Sequence, residues 1–203
     1  ALAQATEHLG FACTYSTTYY PPYITAKTFS TLDHLSKGRI AWNIVTSYLP
    51  DACKNMGLGD MPPHDERYDQ ADEYMDVVYK LWEHSWEDDA IVRDIENDMH
   101  TDPDKVHTID HVGPSYQVPG PHMCEPSPQR TPVLYQAGQS PRGAKFAAKH
   151  AEALFVVYPN VEVCRAAVDD FRDKVRAAGR DPDHVKIFAG VAFVVGETDE
   201  DAT

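Results

Sequence analysis

The sequence predicts an α/β fold built from parallel strands, part of either an open doubly wound sheet or an eight-stranded (β/α)8 TIM barrel. Segments of β-branched and aromatic residues alternate with amphipathic helical segments along most of the chain, which is typical of βα units. The strand candidates are apolar almost throughout, which suits strands covered on both faces. The chain has 203 residues, 42% of them hydrophobic, and this is enough for one domain with a core.

The first part of the chain supplies four elements in alternating order. They are a helix over 1–9, a strand over 11–17, a helix over 23–38 and a second strand over 39–47. The second helix begins after Pro21-Pro22 and is closed by Gly38. Its expected apolar stripe consists of Ile24, Phe29, Leu32 and Leu35.

Residues 48–130 interrupt the alternation. A helix over 64–86 is indicated there by an apolar face made of Tyr74, Val77, Val78, Leu81 and Trp82. A short hairpin is expected around Gly113-Pro114. Because a parallel sheet needs no such segment, we interpret 48–130 as an insertion that is either a functional lid or decoration.

The alternation resumes after residue 130. The predicted elements are strands over 131–138, 153–159 and 185–196, and helices over 140–151 and 161–180. With the two earlier strands this makes five. The pattern alone does not choose between the two architectures. The absence of a GxGxxG turn and the helical character of both chain ends favour an incomplete, internal portion of a barrel over residues 1–203, with units missing at both sides.

Charge and composition exclude several classes of partner. Thirty-two acidic against eighteen basic residues give a net charge of -14, which repels nucleic acid and anionic lipid, so neither is an expected partner. The sequence lacks an apolar run of 18 residues and a signal peptide pattern. Its four cysteines are widely separated, which favours free thiols in a reducing compartment, here the cytoplasm.

The strongest local signal for ligand binding is the turn from strand to helix at GQSPRG, residues 138–143. Ser140 is placed to cap the helix, whose first N–H groups and partial positive charge suit a phosphate. Gly138 and Gly143 allow a ligand to approach the backbone, and Arg142 adds charge. A simple Ser-Pro helix cap explains the same residues and stays open as the alternative.

Other polar residues stand at predicted helix starts and strand ends. His64 and Tyr68 are four residues apart, hence on one helical face, where they form either a ligand contact or an ordinary helix entry. Asn43 interrupts an apolar strand and needs a hydrogen-bond partner, which costs about 1–3 kcal/mol if it is missing. Ser47 follows Asn43 on the same face, and Thr14 holds a similar place in the first strand.

Metal and nucleophilic chemistry are not indicated. The ten histidines include one HxxxH pair, His107 and His111, which falls in the expected hairpin rather than on a helix. The chain has no HExxH, no paired-cysteine pattern and no GxSxG turn. We therefore expect no metal, and we assign no catalytic residue.

Four segments together resemble the bacterial-luciferase-like flavin monooxygenases. They are STTYYPPY, TLDHLSKGRIAWNIVTSY, HDERYDQADEY and VLYQAGQSPRGAKFAAKHAEALFV, at 16–23, 31–48, 64–74 and 133–156. The resemblance covers residues 1–196 and points to the group that contains nitrilotriacetate, EDTA and dibenzothiophene-sulfone monooxygenases. It implies a (β/α)8 barrel of the luciferase-like type.

The resemblance also implies an activity. Such enzymes receive reduced FMN from a separate NAD(P)H:flavin reductase and react it with O2 to a C4a-peroxyflavin. The peroxyflavin oxygenates a small organic substrate, often with cleavage of a C–N or C–S bond. The members are soluble and commonly homo-oligomeric.

The resemblance assigns the flavin contacts by position. It places Thr14 beside the flavin ring, and His64 and Tyr68 at the ribityl–phosphate region. It gives Ser140 the phosphate, with Gly138 and Gln139 supplying backbone contacts. Asn43 and Ser47 fall at the strand end near the flavin.

The chain departs from the family pattern, and two other functions stay open. The first two strands and the last strand of the family barrel are expected to lie outside this sequence, so the isolated chain should bind FMN poorly. Pro21 stands where many relatives are expected to carry a histidine. The alternatives are an F420-dependent hydride-transfer enzyme of the same superfamily and an inactive truncated fragment.

Overall fold

The computed structural model describes residues 1–198 and 200–201. It divides into two compact units, Ala1–Gln136 and Ala137–Thr203. Each unit combines parallel strands with helices, and all five strands that the sequence predicts are present. No helix in the described part of the chain is long and apolar enough to cross a lipid bilayer.

The first unit holds most of the secondary structure. In chain order its elements are α1 (Leu2–Ala5), β1 (Phe11–Ser16), α2 (Pro22–Ser36), β2 (Ile40–Val45), α3 (Pro50–Asn55), α4 (His64–Tyr79), β3 (Ile91–Asp94), β4 (Met99–Thr101), β5 (His111–Val112), β6 (Gln117–Val118) and β7 (Val133–Gln136). A π-helical turn, Lys80–His84, continues α4.

Three of these strands form a parallel sheet in the order β1-β2-β7. Asn43 in β2 lies between Thr14 in β1 and Tyr135 in β7 in the strand register. Because the strands run in one direction, their carboxyl ends share one edge of the sheet, and this is where ligands bind in parallel α/β folds.

The core of the first unit centres on Trp42, which is fully buried in β2. Its ring lies 5.4 Å from that of Phe29 in α2, 6.1 Å from that of Tyr74 in α4 and 6.2 Å from that of Trp82. The apolar face expected for α4 is confirmed, because all five of its predicted residues are at most 3% exposed. Helices α2 and α4 therefore cover the same side of the sheet.

Helix α4 is the connection from β2 to the neighbouring parallel strand β7. The segment 48–130, predicted as an insertion, thus includes one regular crossover helix of the sheet. The rest of it forms α3 and two antiparallel hairpins, β3–β4 and β5–β6. The hairpin expected around Gly113 is confirmed as β5–β6, whereas β3–β4 was not expected. A lid role for the segment stays a prediction.

The apolar stripe expected for α2 is wrong in part. Phe29 is buried, but Ile24 is 47% exposed and Leu35 is 52% exposed. The buried face instead carries small and polar residues, Thr25, Ala26, Ser30 and Asp33 beside Phe29. Small side chains allow close approach, so that the Trp82 indole can donate to the Ala26 carbonyl over 3.2 Å. Hydrogen bonds to these polar residues come from segments far away in sequence, which helical periodicity does not show.

The second unit contains α5 (Pro141–His150), β8 (Ala153–Val156), α6 (Val161–Ala177) and β9 (Lys186–Ala189). Strands β8 and β9 are parallel and pair Ala153 with Lys186. Its buried core is formed by Ala147, Ala148, Ala151, Leu154, Val156, Phe171, Val175 and Val185.

Most predicted strands and helices are up to three residues longer at an end than the observed ones, and two predicted ends differ by more. The first helix ends at Ala5 rather than residue 9, since Thr6 is extended and its hydroxyl donates to the Leu2 carbonyl over 2.9 Å. The last strand ends at Ala189 rather than residue 196. Its partner β8 ends at Val156, so the apolar residues that follow have no strand to pair with in the described unit.

Candidate functional site

Two predicted contacts, Thr14 and Asn43, meet at the sheet of the first unit. They are register partners on adjacent strands, and the Asn43 side-chain amide donates to Thr14 Oγ1 over 2.9 Å. This bond supplies the partner that Asn43 needs in an otherwise apolar strand. Thr14 is exposed and Asn43 half-buried, so the pair presents polar atoms at the surface of the sheet.

Ser47 lies just beyond the end of β2, in the left-handed conformation with φ of 61°. Its hydroxyl is hydrogen bonded to that of Ser16 over 2.8 Å. Ser16 is buried at the end of β1 and also accepts the backbone N–H groups of Thr18 and Tyr19, at 3.1 and 3.3 Å. Sequence reasoning missed Ser16, although a serine at the end of a strand often caps the following turn.

The HxxxY pair stands at the start of α4. His64 is its first residue, half-exposed, with Nδ1 2.6 Å from the Asp65 carboxylate. The ring of His64 lies 5.2 Å from the ring of Tyr68. Tyr68 is buried, and its hydroxyl accepts the Gln136 side-chain amide over 3.4 Å. The two predicted residues therefore share one face of the helix, as their spacing indicates.

Gln136 places this helix start at the carboxyl edge of the sheet, because it is the last residue of β7. Its side chain is only 3% exposed. Sequence reasoning missed it as a site residue. The available signal was a long polar side chain that ends an otherwise apolar strand, which is where ligand-binding residues of parallel sheets lie.

In the second unit, Ser140 caps α5 as predicted. Its hydroxyl oxygen accepts the Gly143 N–H over 3.0 Å. The preceding Gln139 donates its side-chain amide to the Val157 carbonyl over 3.2 Å, which ties this turn to the end of β8. Gly138 and Gln139 line a small cavity of about 60 Å³ beside Tyr158. The turn is thus fixed within its own unit by one hydrogen bond to α5 and another to the end of β8.

Helix α5 is basic in a strongly acidic chain. It carries Arg142, Lys145 and Lys149 and no aspartate or glutamate, whereas the whole sequence has a net charge of -14. Arg142 lies in the first turn and Lys145 in the next, so their charges add to the partial positive charge of the helix N-terminus, whereas Lys149 lies in the last turn. The start of α5 is therefore suited to an anionic group such as a phosphate.

The predicted residues fall into two groups, one in each unit. Thr14, Asn43, Ser47, His64 and Tyr68 belong to the first unit, and Gly138, Gln139 and Ser140 belong to the second. Within the first unit the structure brings together Thr14 with Asn43 and His64 with Tyr68. Convergence of the two groups on one ligand stays a prediction.

No metal centre is seen in residues 1–198 and 200–201, because no three His, Cys, Asp or Glu side chains are grouped to hold an ion. The HxxxH histidines contact separate carboxylates. His107 lies 2.8 Å from Glu87, and His111 lies 3.1 Å from Glu73. The four cysteines are free thiols.

Comparison with known proteins gives a family match over the whole chain. The model of the luciferase-like monooxygenase family matches residues 1–203. Long-chain alkane monooxygenase of Geobacillus thermodenitrificans is 60% identical over 202 residues, covering 100% of this chain and 46% of the relative. Dimethyl-sulfide monooxygenase of Hyphomicrobium sulfonivorans is 54% identical, with 100% and 42% covered. Dibenzothiophene-sulfone monooxygenase of Rhodococcus erythropolis is 50% identical, with 97% and 43% covered.

More distant relatives include nitrilotriacetate monooxygenase component A of Aminobacter aminovorans, which is 38% identical over 100% of this chain and 44% of the relative. This chain therefore spans less than half the length of the curated relatives named here.

Solved structures confirm the fold. The crystal structure of long-chain alkane monooxygenase has a TM-score of 0.92 over 98% of this chain and 46% of its own. A riboflavin lyase, solved with modified FMN and riboflavin, is 42% identical with a TM-score of 0.91 over 98% of this chain and 44% of its own. An F420-dependent secondary alcohol dehydrogenase is 22% identical, with a TM-score of 0.71 over 92% of this chain and 50% of its own, and shares the fold alone. The predicted fold class, a portion of a luciferase-like barrel, is confirmed.

Proposed function

The chain belongs to the luciferase-like monooxygenase family, and on that basis we propose that the protein carrying it is a reduced-FMN-dependent monooxygenase. It would use O2 to oxygenate a small organic substrate. The observation that carries this proposal is the Ser140 turn, where a helix cap, a basic helix and two flanking glycines offer neutral donors and positive charge to a phosphate. The riboflavin lyase solved with modified FMN gives independent support for a flavin ligand.

The residues present fit FMN in their chemistry. A phosphate needs N–H and O–H donors with positive charge, which the start of α5 supplies through Ser140 and Arg142. A flavin ring carries both donors and acceptors along one edge, and the Thr14–Asn43 pair carries both kinds of atom. We assign His64 and Tyr68 to the ribityl–phosphate region by resemblance. Bound reduced FMN would supply the electrons that activate O2.

This chain's own residues would bind and orient the cofactor rather than exchange protons with the substrate. Three more residues complete the proposed flavin contacts. Ser47 would contact the flavin at the strand end, and Gly138 and Gln139 would do so through backbone atoms. Trp42 and Phe29 are almost fully buried against the sheet, so the core beneath these contacts is closed to water. We assign no acid or base here.

We propose an uncharged organic substrate. Three relatives described above that are at least 50% identical are named for long-chain alkanes, dimethyl sulfide and dibenzothiophene sulfone, all of them neutral. The relative named for the polyanion nitrilotriacetate is only 38% identical. A separate NAD(P)H:flavin reductase is the proposed partner, in keeping with the word "component" in that relative's name. A homo-oligomeric state and a cytoplasmic location stay predictions.

The phosphate assignment is tested by Ser140→Ala in the full-length protein. Loss of a hydrogen bond to a charged group costs about 1.4 kcal/mol, so the dissociation constant for FMN should rise about tenfold. Asn160→Ala is the matched control, because Asn160 caps α6 in the same unit by accepting the Val163 N–H over 2.9 Å. Both variants lose a helix cap, but only the first should lose FMN affinity. Equal FMN affinities in the two variants would contradict the assignment of Ser140 to the phosphate.

The reaction itself is tested by O2 consumption with FMN, NADH and a flavin reductase. Each candidate substrate is supplied in turn, with an n-alkane, dimethyl sulfide and dibenzothiophene sulfone as neutral probes and nitrilotriacetate as the anionic one. We expect substrate-dependent O2 uptake with a neutral probe. Reduction of a substrate by reduced F420, or oxidation of a substrate by F420, without O2 uptake would instead establish hydride transfer.

A further inference from the structure

The loops that follow β1 and β2 are joined by hydrogen bonds into one structure, the β1–β2 rim, formed by residues 16–19 and 45–49. Four bonds run from the first loop to carbonyl oxygens of the second. The N–H and the hydroxyl of Thr17 donate to Val45 at 3.0 and 3.4 Å, the Thr18 hydroxyl donates to Thr46 at 2.7 Å, and the Tyr19 hydroxyl donates to Leu49 at 3.0 Å. The rim lies at the carboxyl edge of the sheet, where Ser47 is a predicted flavin contact.

Ser16 is the centre of this rim. Its side chain is 5% exposed, and its oxygen accepts the N–H groups of Thr18 and Tyr19. The hydrogen bond to Ser47 engages the same hydroxyl over 2.8 Å. Ser47 is the donor in that bond, so the Ser16 oxygen accepts three hydrogen bonds within the chain. Because those bonds occupy the oxygen and the side chain is almost fully buried, any role of Ser16 in the site acts through another residue.

Ser47 is the residue through which it acts. A φ of 61° is disfavoured for a residue with a Cβ atom such as serine. Such strain persists only where the surroundings over-determine it, and it is concentrated at functional sites. The hydroxyl of Ser47 donates to Ser16, which joins the strained residue to a buried side chain that also accepts two backbone N–H groups.

We propose that Ser16 is a positioning residue that holds Ser47 in its left-handed conformation and so fixes the loop after β2 where the flavin binds. The inference rests on the proposed function, because the flavin contact of Ser47 belongs to it. It adds a residue that does not touch the cofactor and a physical reason for the unusual backbone at Ser47.

The test measures the dissociation constant for FMN and the melting temperature of the full-length protein. Removing the anchor with Ser16→Ala should weaken FMN binding about fivefold, the effect of one lost net hydrogen bond. Thr18→Val is the matched control, since it removes another bond between the same loops without touching Ser47. It should change FMN affinity less than about twofold. Its melting temperature should fall less than that of Ser16→Ala, which also leaves the Thr18 and Tyr19 N–H groups without their acceptor.

A double variant distinguishes a positioning role of Ser16 from a general effect on loop stability. Glycine adopts a positive φ freely, so Ser47→Gly needs no anchor. In that background Ser16→Ala should have no further effect on FMN affinity. If Ser16→Ala does not fold, two single variants decide the question. Ser47→Ala must keep the strained φ without the anchor, so it should bind FMN about fivefold more weakly than Ser47→Gly.

Three results would overturn the inference: an equal loss of affinity in Ser16→Ala and Thr18→Val, an undiminished Ser16→Ala effect in the Ser47→Gly background, or equal affinity in Ser47→Ala and Ser47→Gly. If the parent protein binds FMN and only these comparisons fail, the proposed function stands without this inference. If the parent does not bind FMN, both fall together.

Discussion

His122 should make the stability of this protein depend on pH between 7 and 5. The side chain is 2% exposed, and its Nε2 lies 2.8 Å from the Ser30 hydroxyl in α2. Its Nδ1 is buried with no hydrogen-bond partner among the residues that the structure describes. Burial lowers the pKa of His122 from 6.5 to about 4, and the positive charge of Lys27 adds to the lowering. The folded protein therefore keeps this ring neutral.

The sign follows from proton uptake. Because the folded pKa is depressed, the unfolded chain binds a proton below pH 6.5 that the folded chain refuses until about pH 4. Stability is thus full at neutral pH and is lost as the pH falls through this window. Between these two pKa values the loss from pH 7 to pH 5 amounts to about 2 kcal/mol. Carboxylates titrate mostly below this window, so they contribute little to the slope.

The measurement is the free energy of unfolding in urea at pH 7, 6 and 5 for the full-length protein and two variants. His122→Gln keeps a group that can bond to Ser30 but cannot titrate, so its stability should change about 2 kcal/mol less than that of the parent over this range. His8→Gln is the control, because that side chain is 97% exposed and should keep the parent slope. An identical slope in His122→Gln and the parent would refute the reasoning.

Two further predictions concern the hairpin and the isolated chain. Burial alone would raise the pKa of Glu73, but its hydrogen bonds to His111 and to the N–H groups of Tyr116 and Ser115 hold that pKa below its usual range. Glu73→Gln should therefore cost about 1–3 kcal/mol in urea unfolding at pH 7 and speed hydrogen exchange in the β5–β6 hairpin. The cost should shrink as the pH falls below about 4.5, where the parent carboxylate itself becomes protonated in the unfolded chain. Glu66→Gln, an exposed change on the same helix, should do neither, and equal costs for the two variants would contradict the buried-clamp reasoning. The isolated 203-residue chain should bind FMN poorly, and micromolar affinity in a fluorescence titration would show that it carries a complete site.

Helix caps and helix faces could be predicted from the sequence because they depend on residues close together in the chain. Ser140 caps α5 through the Gly143 N–H three residues away, and the apolar face of α4 repeats within the helix itself. Both depend on atoms within one or two helical turns, so residue type and spacing determine them. The alternation of strands and helices likewise fixed the α/β class, and the quoted segments indicated the family.

Contacts between distant segments were decided only by the tertiary structure. The Thr14–Asn43 bond needs the parallel register of β1 and β2, and the Tyr68–Gln136 bond needs α4 to return across the sheet. Distant contacts also explain why the apolar stripe predicted for α2 is wrong in part. The polar residues of α2 are buried against partners such as His122, which is 92 positions away from Ser30. Strand register and helix docking set which of these groups meet, and they depend on packing of the whole unit rather than on any local run of residues. The sequence alone therefore determined the type of the elements that form the parallel sheet and its helices, but not the β3–β4 hairpin, and packing determined which side chains the elements bring together.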